Sequence, residues 1–368
     1  MNERTITLTL TENCNLSCIY CYEHNKANNS MTFETAKKII DKHLTNDTNE
    51  RVIIDFFGGE PFLEFPLIKQ IVDYVETSQK NNKYQNKKIV FFATTNGTLI
   101  HNEIKQWLLS KPHFICGLSL DGNKKMHDLN RCNSFDQIDL DFFLTRYPTQ
   151  GIKMTLSEKS LPHLAEGVIF CHSKGFIIHC NLACGIDWNK TKHKKELEKQ
   201  LSILINYYLN NPQIEPCSIL NYDIKRVGFE NTEKTIKKWC GTGTHMHTYD
   251  VNGNAYPCQF FMPMSCGAEK AKQAKNITFI DEVPLTMLDQ KCQTCLLNPC
   301  CPTCYGANYF STGDIYKKDD GECILQKKIF KANAYFYAKK WEHNLLKKED
   351  EKSETAILNA ILKISEEL

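Results

Sequence analysis

Three cysteines near the start of the chain, Cys14, Cys18 and Cys21, form a CxxxCxxC array in the run TENCNLSCIYCYEH (11–24). Thiolates at these spacings converge only from a wrapped loop, and two chemistries suit them. One is a zinc site completed by His24, with four donors around one ion. The other is a 4Fe–4S cubane held by three thiolates, which leaves one iron open to a small molecule. A second group gathers later in the chain: Cys240 and Cys258, then Cys292, Cys295, Cys300, Cys301 and Cys304, then Cys323. Eight or nine thiols exceed the needs of one zinc ribbon. Cys116, Cys132, Cys171, Cys180, Cys184 and Cys217 are scattered between the groups and read as core packing.

The chain holds 18 cysteines in 368 residues and has no apolar secretory segment at its start. A disulfide framework is therefore not expected, and metal ligation in a reducing, cytoplasmic setting is. With 45 basic and 43 acidic residues the net charge is +2, which excludes a strongly basic nucleic-acid face. Charges interrupt every apolar run well short of a membrane span.

The first 215 or so residues alternate short apolar runs with helical patterns. Strands are predicted over 6–10, 52–57, 89–93, 114–120, 152–156 and 176–182, mostly as continuous apolar runs suited to parallel strands covered on both faces. Thr32 caps a helix presenting Phe33, Ala36, Ile40 and Leu44, and Pro66 opens another carrying Leu67, Ile68, Ile71, Val72 and Val75. Further helices are expected over 104–109, 162–174 and 192–209. Six βα units imply an α/β fold whose parallel sheet is doubly wound or curved toward a barrel, with its chemistry at the C-terminal strand ends. After Pro212 turns and cysteines become dense, as in a small metal-stapled domain. A helical tail follows, with Phe330, Tyr337 and Trp341 as a docking stripe and a solvated charge run over 347–354.

The CxxxCxxC array, with Tyr20 at its penultimate position, resembles the cluster motif of the radical S-adenosylmethionine superfamily. The resemblance implies a partial (β/α)6 TIM-like barrel over 1–215. It also implies that the open iron chelates the amino and carboxylate groups of S-adenosylmethionine, whose reductive cleavage yields a 5′-deoxyadenosyl radical. FFGGEP (56–61) resembles the family's GGEP motif. On that reading Gly58 and Gly59 admit close backbone approach, and Glu60 accepts the cofactor's ammonium. TTNGT (94–98) and SLDG (119–122) also recur in the superfamily, so Asn96 and Ser119 are candidate contacts to ribose or carboxylate, with ordinary turn chemistry as the alternative. HDLNR (127–131) is family-like too, but no contact is assigned to Arg131.

The later cysteines, with GNAYPC (253–258), resemble a SPASM domain, here 216–325, followed by the helical segment 326–368. The resemblance implies two auxiliary 4Fe–4S clusters, hence three in all. Cys240, Cys258 and Cys304 would ligate the first; Cys292, Cys295, Cys301 and Cys323 the second. A further cysteine usual between the positions of Cys240 and Cys258 is replaced by His245 and His247, so the first cluster either keeps an open iron or takes Cys266 or a histidine. Cys301 keeps the usual spacer after Cys295, whereas Cys300 keeps the one before Cys304; Cys301 is preferred. Anaerobic sulfatase-maturing enzymes carry an Asp base after the residue matching Cys258, and here stands Gln259. CPTCYGANY (301–309) resembles maturases of cysteine-repeat ribosomal peptides. The expected activity is oxidative carbon–sulfur (thioether) cross-linking of a cysteine-containing precursor peptide, fed by a donor such as flavodoxin or ferredoxin. Only 13 residues precede Cys14, so a leader-binding module is expected on a separate protein. The alternatives are a sulfatase-maturase-like or epimerising enzyme, and a non-catalytic zinc-binding adaptor.

Overall fold

The computed structural model describes residues 3–46, 50–84, 87–229, 234–346 and 349–368. Lys347 and Lys348 of the charged run lie outside the described residues. The chain divides into two compact units. Met1–Leu120, Arg131–Gly151 and Cys240–Ile280 make the first; Asp121–Asn130, Ile152–Trp239 and Asp281–Leu368 make the second.

In the first unit, strands β1 (Glu3–Thr11), β2 (Arg51–Gly58), β3 (Lys88–Thr95) and β4 (Phe114–Leu118) pair in parallel in the order β4-β3-β2-β1. Every residue of β1 from Ile6 to Thr11 is buried, as a strand covered on both faces requires. Phe56, Phe91 and Phe114 stack with centroids 5.7–6.3 Å apart, and Trp107 meets Phe114 edge-on at 5.3 Å. These rings wedge the β2–β4 face against helix Asn102–Ser110, and each fully buried ring contributes about 2–3 kcal/mol. Helices Phe33–Asn46 and Phe65–Lys80 begin as the residues dictate: Thr32 Oγ1 accepts from Thr35 N, and a proline opens the second. On its other edge β1 takes a parallel partner, Met246–Tyr249, which turns back antiparallel into Ala255–Tyr256.

The second unit holds the parallel pair β5 (Ile152–Leu156) and β6 (Ile178–Leu182). Helix Leu164–Lys174 ends at Gly175, whose φ of +97° supplies the left-handed cap. Helix Asp320–Glu342 packs against both Thr191–Asn210 and Glu351–Glu367. Phe330 and Tyr337 pack into an apolar cluster with Ile224, Val227, Leu297 and Ile364. Trp341, expected on the same stripe, is exposed because it falls in the last turn of its helix. Among the described residues, no helix is long and apolar enough to cross a membrane.

Candidate functional site

β1 ends at Thr11 and the chain leaves the sheet as the loop carrying Cys14, Cys18 and Cys21, all half-buried. Leu16 is buried and anchors the loop, while Cys21 N donates to Cys18 O at 3.1 Å to close its turn. β2 delivers FFGGEP beside it. Gly59 N donates to Thr11 O at 3.1 Å and Glu60 N to Asn13 O at 3.0 Å, so the two loops continue the pairing of their strands. The glycines are what permit this approach. A Cβ on Gly58, at φ +144°, would lie 2.1 Å from Thr11 O, and one on Gly59 would lie 2.2 Å from Asn13 O and 2.8 Å from Cys14 Cβ.

Glu60 is 1% exposed and receives three donors: Phe62 N at 3.1 Å and Thr95 Oγ1 at 2.9 Å on Oε1, and Asn96 N at 2.8 Å on Oε2. Burial pushes its carboxyl up to about 7, against the pull of those hydrogen bonds and of Arg131. A carboxylate so placed gains from a cationic partner. Asn96 gives its amide N–H to Asn15 Oδ1 at 2.9 Å, and its Oδ1 accepts from Thr98 N and Oγ1. Its side chain thus ties the β3 loop to the cysteine loop. Ser119 is buried and extends the β3–β4 pairing through Ser119 N to Thr95 O at 2.9 Å.

Arg131, given no role from sequence, is buried with its guanidinium 5.3 Å from the centre of the Tyr20 ring. Only the return of 131–151 to this unit brings that charge to Tyr20 and Glu60. Cys132, read as core, is exposed; its Sγ meets Ser17 N at 3.3 Å and Ser17 O at 3.1 Å. Cys116, Cys171, Cys180 and Cys217 are buried as expected, and burial raises each thiol's pKa. Cys184 is half-buried.

Of the later cysteines, Cys240, Cys258 and Cys266 belong to the first unit. Gly243 N donates to Pro257 O at 3.2 Å and draws the Cys240 and Cys258 segments together. His247 is bonded to Arg4 at the start of β1, the end opposite the cysteine loop; His245 is exposed. Cys304, in the second unit, is exposed and its Sγ caps helix Tyr305–Thr312 by accepting from Ala307 N at 3.4 Å.

Cys292, Cys295, Cys301 and Cys323 line one pocket of the second unit, with Lys291, Lys318 and Lys327 around them. Asp289 caps the turn of Cys292 and Asp319 caps the helix whose first turn holds Cys323. Cys300 does not line that pocket; it is 3% exposed within the apolar cluster of Phe330, against which Cys295 and Cys301 also pack. Among the described residues no three His, Cys, Asp or Glu side chains close on a single point as one metal ion requires. The four thiols instead surround a space, the donor set a cubane takes. The glycine-cleared thiol loop beside a buried, cation-seeking Glu60 fits a three-thiolate cluster and an amino-acid-bearing cofactor equally well.

Comparison with known proteins agrees with this geometry. Residues 4–138 match the family model of the 4Fe-4S single cluster domain. An uncharacterized protein of Methanocaldococcus jannaschii is 34% identical over 273 residues, covering 71% of this chain and 86% of that one. The cysteine-type anaerobic sulfatase-maturating enzyme of Clostridium perfringens is 26% identical, covering 68% and 72%. The solved structure of native anSMEcpe with bound AdoMet and Cp18Cys peptide superposes with a TM-score of 0.69 at 19% identity, over 94% of this chain and all of that one. The chain belongs to the radical S-adenosylmethionine family of SPASM type. Its α/β architecture is the fold of those enzymes, and the chain is an enzyme of that family.

Proposed function

We propose that this enzyme forms a thioether cross-link within a cysteine-containing precursor peptide. Cys14, Cys18 and Cys21 would hold the cubane that binds the cofactor. Tyr20, Gly58, Gly59, Glu60, Asn96 and Ser119 would form the cofactor's cradle, with Glu60 accepting its ammonium and Arg131 facing its carboxylate. When bound, cluster and cofactor together supply a carbon-centred oxidant that removes one hydrogen atom from a substrate carbon.

The rest of the reaction fixes what the other residues must do. A C–H hydrogen and an S–H proton are lost and one C–S bond forms. Two electrons leave the peptide: one departs with the hydrogen atom, and the other needs an acceptor inside the protein. Cys292, Cys295, Cys301 and Cys323 would hold that acceptor, and their convergence on one pocket is the observation that carries this reading. Cys240 and Cys258 of the first unit would serve a further cluster, with Cys266 and His245 as further candidate ligands in that unit. Flavodoxin or ferredoxin would supply electrons and a separate protein would bind the leader.

Formylglycine formation is the second reading, favoured by the likeness to the Clostridium enzyme. The carboxylate expected after the residue matching Cys258 is missing here. Gln259 follows Cys258, and the nearby Asp250 carboxylate is committed to Asn252 N, Asn254 N and Nδ2, and Tyr256 Oη. The test is mass spectrometry of a cysteine-rich peptide encoded beside the gene, incubated with reduced, reconstituted enzyme and S-adenosylmethionine. Cross-linking removes two hydrogens and shields one thiol from alkylation. An unchanged mass with an inverted centre, or a cysteine turned to an aldehyde, contradicts it.

A further inference from the structure

Lys318 lies outside the proposed ligand and cofactor-binding residues, and it is among the most deeply buried charges in the protein at 4% exposure. Its Nζ donates to Pro302 O at 2.8 Å and faces Cys301 Sγ at 3.9 Å, with Glu322 Oε1 at 3.7 Å. The other two lysines of the pocket differ. Lys327 is exposed, and Lys291 reaches outward to Asp320 with 30% of its side chain exposed. Burying an ammonium is costly unless its partners compensate. One carbonyl and a part-exposed carboxylate do so incompletely, and a neutral thiol adds little. A thiolate of a net-negative cluster supplies the missing partner.

We propose that Lys318 is a positioning residue that raises the reduction potential of the cluster held by Cys292, Cys295, Cys301 and Cys323, making that cluster the electron acceptor of the reaction. This rests on reading the pocket as a cluster site. An oxidised cubane with four thiolates carries a net charge of −2, and accepting one electron takes it to −3 with no proton moved. A buried ammonium against one of the ligand sulfurs stabilises the more negative state, since net charge, hydrogen bonds to sulfur and solvent exposure set such potentials. Lys291 holds the lysine's backbone by donating from Nζ to Lys318 O at 2.6 Å. Asp319, the next residue, starts the helix that presents Cys323.

The test is an anaerobic redox titration of the reconstituted full chain, followed by electron paramagnetic resonance. The signal lost in Cys295→Ala identifies the pocket's cluster. Lys318→Met should keep its iron and become at least tenfold harder to reduce, about 59 mV for a one-electron couple. Lys327→Met, at the pocket's exposed rim, should shift it less. Lys318→Gln keeps a donor for Pro302 but sheds the charge, and carries the same test if the methionine variant fails to fold. An unmoved midpoint with full iron overturns the proposal. So does loss of the cluster's iron in both Lys318 variants, which would make the lysine a scaffold. If Cys295→Ala removes no signal, the cluster assignment falls and this proposal with it.

Discussion

At the scale of single residues, the site depends on two glycines and one carboxylate. Gly59 has no room for even a methyl group, because Asn13 O and Cys14 Cβ occupy the place. Gly59→Ala is therefore expected to displace the cysteine loop and lower the iron bound by Cys14, Cys18 and Cys21, measurable as iron per protein against the parent. Glu60→Gln keeps the shape and removes the charge. A charge-assisted hydrogen bond contributes about 1.5–3 kcal/mol, so S-adenosylmethionine should bind roughly tenfold to a hundredfold more weakly, read by equilibrium dialysis with iron content unchanged. Unchanged affinity would show that Glu60 does not meet the ammonium. Spacing makes these residues legible. Arg131 is not legible in the same way, because no local pattern shows that 131–151 returns to the first unit. Nor does spacing separate Cys300 from Cys301. Which of the two lines the pocket depends on the packing of distant helices.

At the scale of elements, the strands β1 to β6 are readable because each is an apolar run flanked by turn residues or a helix. Met246–Tyr249 is not readable. Its four residues, MHTY, carry no apolar run, and it becomes a strand only because the edge of β1 offers it backbone partners from Thr5 to Leu8. The cysteine pocket depends on helix starts. Asp319 Oδ1 accepts from Glu322 N at 3.0 Å and fixes the turn that presents Cys323. Removing such a cap costs about 1 kcal/mol. Asp319→Ala should therefore lower the thermal midpoint modestly and speed iron loss to a chelator from this pocket alone. Equal chelator resistance in variant and parent would show that the cap does not hold the ligand.

At the scale of the whole molecule, metal content distinguishes the remaining possibilities. Three cubanes predict about twelve irons per chain after anaerobic reconstitution. One or two zinc ions without iron would contradict the cluster assignments. The central claim is narrower: three early thiols hold the cluster that cleaves S-adenosylmethionine. It is tested by quantifying 5′-deoxyadenosine and methionine formed by the reduced, oxygen-free enzyme and by a variant with Cys14, Cys18 and Cys21 all changed to Ala. The parent should form both products in equal amounts, and the variant neither, while retaining about eight irons. Continued cleavage by the variant would contradict the account at its root.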